Sequence, residues 1–219
     1  GFTTTGVTTA RSFNDFPPSI LVWRCLTHWT GGIGVIMLFI IIMPQMNGGT
    51  SYLFNAELPG AVAERTLPKI KASAGLILTI YFVLTWVEIG LLMLSGLPFY
   101  QAFNLALATM ATGGFSYYHD SLISFHNVAV EIIAIVFMLI SSMNFSLYYK
   151  LWRGDWQAVK QDSEHRYYLA LILVATALIC GDLYLHDYMD LAQSLRHSIF
   201  QAVSIASTTG FASDDFNNW

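Results

Sequence analysis

Four long apolar runs and two short ones, each short one after a long one, mark this chain of 219 residues. Residues 20–43, 74–94, 128–149 and 167–185 are each predominantly apolar. Each comes close to or exceeds the roughly 20 residues that a helix needs to cross a bilayer core. Two further runs, 99–111 and 195–206, have the same apolar character over only 13 and 12 residues. They are too short to span and predict re-entrant helices, the first opened by Pro98. Polar stretches separate these runs: 11–19 with Asp15 and Pro17-Pro18, then 44–73, 117–126, 150–166 and 186–194. The pattern predicts an all-α membrane protein built from repeated helix–loop–helix units.

A five-residue motif recurs in the same setting. It reads Thr4-Thr5-Gly6-Val7-Thr8, then Thr112-Gly113-Gly114-Phe115-Ser116, then Thr208-Thr209-Gly210-Phe211-Ala212. The glycines lie 108 and 96 residues apart, a period suited to a repeated membrane unit and too long for a solenoid. The second and third copies follow the two short runs, and those runs align without gaps on the Gly114/Gly210 register. Ala106 then matches Ala202, Leu107 matches Val203, Ala108 matches Ser204 and Thr112 matches Thr208.

Non-helical backbone at membrane depth persists only where it is buried in protein or lines a watery cavity. Loops of this kind meeting on one axis can replace the water shell of a cation with carbonyl oxygens. Glycine suits the central position because it reaches positive φ without steric cost. The candidate ligands are Thr5, Gly6, Val7, Thr112, Gly113, Gly114, Thr208, Thr209 and Gly210, acting mainly through backbone carbonyls. An ordinary turn accounts for one such segment; an ion filter accounts for three at matching places.

Composition and charge sharpen this picture. Hydrophobic residues make up 55% and charged residues 11%, against about 25% charged in soluble domains, and the mean hydropathy is +0.53. Seven of the ten Lys and Arg residues fall in 44–73 and 150–166, which the span order places on one side of the membrane. The positive-inside rule makes that side cytoplasmic. Asp15, Asp120, Asp214 and Asp215 then follow the motifs on the outer side, either concentrating cations or simply solvated. The C-terminal ends of the short helices point their negative dipole ends at the membrane centre, which favours a cation there.

Within the spans, Gly31, Gly32 and Gly34 offer a smooth packing face. Arg24 either snorkels or finds a partner, while Glu88 is a functional carboxylate or a hydrogen-bonded structural one. His28 and Trp29 read as packing and interface residues, Glu131 starts a span, and Asp182 reads as interfacial. Cys25 and Cys180 read as free thiols within apolar runs. No H-E-x-x-H or G-x-S-x-G occurs, and the six histidines are not paired as haem ligands within spans.

The motifs resemble those of the potassium-transporter superfamily that includes the Trk, Ktr and HKT proteins, closest to its bacterial TrkH-type pore subunits. The resemblance rests on Thr4-Thr5-Gly6-Val7-Thr8, Trp23-Arg24, His28-Trp29-Thr30-Gly31-Gly32-Ile33-Gly34, Glu57-Leu58-Pro59-Gly60, Ala111-Thr112-Gly113-Gly114-Phe115-Ser116 and Ala206-Ser207-Thr208-Thr209-Gly210-Phe211. It covers essentially the whole chain.

The resemblance implies four helix–pore-loop–helix repeats around one central ion pore, of which about 2.5 are expected here. Residues 1–46 would end the first repeat, 47–149 form the second and 150–219 begin the third, with a fourth T-x-G loop beyond. It also implies K⁺ as the transported ion, no organic cofactor and no enzymatic activity. The expected partners are membrane lipid, a second copy in a homodimer and a cytoplasmic nucleotide-binding subunit like TrkA or KtrA, with no nucleic acid. The implied location is the bacterial inner membrane. A sodium-permeable relative and the potassium-binding subunit of an ATP-driven pump are the alternatives; Gly6, which can be serine in sodium-preferring relatives, favours potassium.

Overall fold

The computed structural model describes residues 1–7, 16–42, 67–118, 121–143, 147–148, 151, 154, 156–157, 162–186, 188–215 and 219, with backbone alone for 35–42 and 67–74. Its elements in chain order are α1 (Pro18–Ile42), α2 (Leu67–Leu94), α3 (Phe99–Met110), a 3₁₀ turn (Ile123–Phe125), α4 (Val128–Ser142), α5 (Ser163–Leu185) and α6 (Leu191–Ala206). No strand occurs among the described residues.

Local chemistry sets the helix ends. Pro18 opens α1 and Pro68 is the second residue of α2, positions where a missing N–H costs nothing. The Asn127 side chain caps α4 by accepting from Ala129 N at 3.0 Å, and its amide donates to Ser95 O at 2.9 Å, tying α4 to the end of α2. Asp162 caps α5 through His165 N at 2.9 Å. The turn from α2 into α3 uses Gly96 at φ 101°, and Leu97 N closes back on Leu92 O at 3.2 Å.

Four predicted boundaries move. Helix α2 begins at Leu67, so Lys69 and Lys71 are helical rather than part of the polar connection. Helix α5 begins at Ser163, under the Asp162 cap, rather than at residue 167. Helix α6 begins at Leu191 rather than residue 195; in its first turn Ser194, which read as part of a loop, is fully buried and donates to Met189 O at 3.2 Å.

The largest change is in the third apolar run, where continuous helix ends at Ser142 and Met143 turns extended at ψ 152°. Ser141 and Ser142 hydroxyls compete for helix carbonyls, donating to Met138 O and Leu139 O at 3.1 and 3.0 Å. Tyr148 donates to the Ile140 carbonyl near this end. Fifteen residues of α4 rise only about 22 Å. Asp15, Asp120, Lys150, Arg153, Lys160 and all of 44–66 lie outside the described residues.

The two short helices are the most enclosed elements. Helix α3 packs against α1, α2 and α4, and α6 packs against α5 and α4. Each short helix thus touches both its own repeat and the outer span of the repeat before it. Ala102, Ala106 and Ala108 are completely buried, and small side chains like these let neighbouring backbones approach. Phe200, Val203 and Phe211 fill the corresponding place around α6. By contrast α5 is long and apolar enough to cross a membrane yet exposes Leu171, Leu173, Val174 and Leu178, as a lipid-facing helix does.

Candidate functional site

Both short helices end in the same hydrogen-bonded cap. In α3, Thr112 N donates to Thr109 O and Gly113 N to Ala108 O, both at 2.9 Å; in α6, Thr208 N donates to Ile205 O and Thr209 N to Ser204 O, both at 3.0 Å. This is the Schellman arrangement, whose left-handed position is usually glycine. Here it is threonine: Thr112 has φ 48° and Thr208 has φ 60°. A β-branched residue in that region is a true outlier, and such strain gathers at functional sites.

The first loop repeats the outlier, with Thr4 at φ 48°. Two residues later each loop becomes left-handed again, at Gly6 (φ 74°), Gly114 (φ 71°) and Gly210 (φ 81°). Thr5, Gly113 and Thr209, lying between, do not. Three loops therefore carry one backbone signature at one register. Burial alternates with it: Gly113 and Phe115 are buried where Thr112 and Gly114 are partly open, and Thr209 and Phe211 are buried where Thr208 and Gly210 are exposed.

The loops sit side by side in chain order. A Cβ at Gly6 would lie 2.6 Å from the Gly113 carbonyl oxygen, and one at Gly114 would overlap the Thr209 carbonyl oxygen. The same atom of each loop therefore meets the same glycine of the loop before it, as successive members of a ring do. The equivalent place at Gly210 has nothing within 4 Å. All nine predicted ligand residues lie on these three loops. Val7, at the far end of the first, is 74% exposed.

The exits of the loops are bound by a second set of contacts. Ala212 N donates to Ser121 Oγ at 3.0 Å and Ala212 O accepts from Leu122 N at 3.1 Å, so the exits of the second and third loops are joined. In the third repeat Arg196 meets Glu131 of α4 at 3.4 Å, lies 3.0 Å from His197 Nε2, and His197 Nδ1 lies 3.0 Å from Ser213 Oγ. The Arg196–Glu131 contact is an ion pair without aligned hydrogen-bond geometry, since the Nε and Oε2 atoms that meet have no hydrogen-bond partner. The second repeat has neutral counterparts at the same register. Tyr100 donates to Pro18 O at the start of α1, and Gln101 donates to Tyr118 Oη at 3.1 Å.

The remaining sequence candidates find places behind the loops. The Arg24 guanidinium carbon lies 4.2 Å from the centre of the Phe115 ring, so it is engaged at the second loop. Gly31 packs against the backbone of Phe2, and Gly32 sits 3.0 Å from Ala111 Cα as measured from a built Cβ; Gly34 touches nothing there. Helix α1 thus backs both the first and second loops. Trp29 donates to Thr85 Oγ1 at 3.0 Å. Glu88 is fully buried on α2 with neither carboxyl oxygen hydrogen-bonded among the described residues. Cys25 is buried and Cys180 half-buried, both free. Among the described residues no cluster of His, Cys, Asp and Glu is arranged to hold a metal ion.

Sequence reasoning missed Arg196, His197, Gln101, Tyr118 and Ser121 as members of the site. The Gly114/Gly210 register carries the signal for the first three, because it pairs Tyr100 with Arg196 and Gln101 with His197.

Comparison with known proteins gives concordant results. A family model described as TrkH, a cation transport protein, matches residues 1–173. The Trk system potassium uptake protein TrkH of Halomonas elongata is 34% identical over all of this chain and 46% of its own length. The TrkG protein of Escherichia coli, from the same system, is 30% identical over the whole chain and 46% of its own length. The crystal structure of the potassium transporter TrkH from Vibrio parahaemolyticus superposes with a TM-score of 0.83 at 28% identity, covering all of this chain and 44% of that one. The chain thus spans about half the length of the relatives it matches.

Proposed function

This chain belongs to the TrkH family of cation transport proteins, and from that premise we propose that it forms part of the pore of a potassium uptake system. Carbonyl oxygens beside Gly6, Gly114 and Gly210 face a common axis and take over from water around K⁺. Transport is channel-like and inward across the bacterial cytoplasmic membrane, with no enzymatic step or organic cofactor. A membrane potential of 100 mV supplies about 2.3 kcal/mol per charge to this movement.

The observation that carries the proposal is the threefold left-handed Thr–x–Gly backbone, set in ring order by the contacts of Gly6 with the Gly113 carbonyl and Gly114 with the Thr209 carbonyl. In the proposed arrangement 1–46 ends one repeat, 47–149 makes the next and 150–219 begins a third. The filters open outward and the basic segments 44–73 and 150–166 lie in the cytoplasm. The complete protein works as a homodimer in membrane lipid with a cytoplasmic nucleotide-binding subunit.

The test is ion flux through the full-length protein. Gly114→Asp puts a side chain at φ 71° against the Thr209 carbonyl. K⁺ uptake is expected to be lost, or its preference over Na⁺ abolished. Unaltered K⁺/Na⁺ discrimination would remove Gly114 from the filter.

A further inference from the structure

The three loops share a backbone but are braced in two different ways. In the first, Thr3 Oγ1 lies 2.9 Å from Thr5 Oγ1; in the third, Ser207 Oγ lies 2.8 Å from Thr209 Oγ1. Each is a hydroxyl clasp between the residue before the strained threonine and the residue after it. The second loop has Ala111 and Gly113 at these positions, so it has no hydroxyl to close the clasp.

Helix α1 supplies what takes its place. His28 is completely buried and stacks on Phe115, with ring centroids 3.6 Å apart and an interplanar angle of 12°. The three atoms nearest a Cβ built on Gly113 are Nδ1, Cγ and Cε1 of this imidazole, and Nδ1 would overlap it. The ring therefore fills the volume that the Thr5 and Thr209 side chains fill in the other loops. Gly113 has no left-handed φ to explain its identity; the space taken by His28 does. Neither imidazole nitrogen has a hydrogen-bond partner among the described residues, so the ring is held by shape and stacking.

We propose that His28 is a positioning residue for the second filter, standing in for the hydroxyl pair that braces the first and third. The proposal rests on the filter reading above. In the first and third loops the brace is internal. In the second it comes from the outer span of the preceding repeat, so any shift of α1 reaches the second filter directly through a packed ring.

The experiment is a transplant of the clasp in the full-length protein, read as the K⁺/Na⁺ uptake ratio per molecule in the membrane. His28→Ala is expected to lower the ratio on the order of tenfold, the scale of one lost packing element in a selective site. Gly113→Thr alone is expected to abolish selective uptake, because the new side chain meets the imidazole. Combining Ala111→Ser and Gly113→Thr with His28→Ala is expected to bring the ratio back towards the parent value. A loss of folding would lower abundance and leave the ratio of the surviving molecules alone.

A parent-like ratio in His28→Ala, or a triple variant no more selective than His28→Ala, overturns the proposal. Gly114→Asp serves as the companion control. If it destroys selectivity while His28→Ala does not, only the bracing role falls; if both leave the ratio intact, the filter reading falls with it.

Discussion

At the scale of single residues, what separates these loops from ordinary turns is threonine where glycine is expected. A left-handed L-residue costs about 1–2 kcal/mol, and the chain bears this at Thr4, Thr112 and Thr208. The glycines at 6, 114 and 210 are legible in the sequence, since a T-x-G motif announces positive φ at its glycine. The threonines are not legible, because local preference argues against the conformation they adopt. At Thr112 and Thr208 the cap bonds at the ends of α3 and α6 hold it, and at Thr4 a bond from Thr4 N to Gly1 O accompanies it. Thr112→Gly should therefore stabilise the protein by about 1 kcal/mol, seen as a melting temperature raised by a few degrees, while reducing K⁺/Na⁺ discrimination. A lower melting temperature for Thr112→Gly would show that Thr112 is not strained.

At the scale of elements, hydropathy locates every described helix and misplaces several ends. Part of the cause is polar groups that find partners in the fold: Asp162 caps α5 ahead of its apolar stretch, and Ser194 faces inward in the first turn of α6, ahead of its apolar stretch. Ser141 and Ser142 draw on helix carbonyls near the point where α4 stops. His197, inward on α6, also joins the contacts at the loop exits through Ser213 Oγ, which composition alone does not reveal.

Each short helix reaches back to the start of the preceding outer span and forward to its own loop's exit: through Tyr100 and Gln101 in one repeat, through Arg196 and His197 in the next. In the second case the backward tie is ionic and largely withdrawn from solvent, with Glu131 10% and Arg196 31% exposed. A double-mutant cycle on Glu131→Gln and Arg196→Gln, followed by thermal unfolding, should give a favourable coupling of about 0.5–3 kcal/mol. Strict additivity would mean that the pair contributes nothing to holding α6 on α4.

At the scale of the whole molecule, the repeat is visible in the sequence as three glycines and two short apolar runs, and the fold arranges the loops in chain order. What the sequence does not contain is the sense of that order: the residues before Gly114 and Gly210 meet the glycine of the previous loop. The relation comes from packing α3 on α1 and α6 on α4, contacts between repeats that a linear pattern cannot display.

The most direct measurement is an anomalous-scattering map of the full-length protein crystallised in Rb⁺ or Tl⁺, ions that substitute for K⁺. A pore of the proposed kind gives a peak on one axis shared by the three loops, ligated by backbone oxygens next to Gly6, Gly114 and Gly210. Well-ordered loops with no ion among them, and ion density on a separate path through the protein, would contradict it.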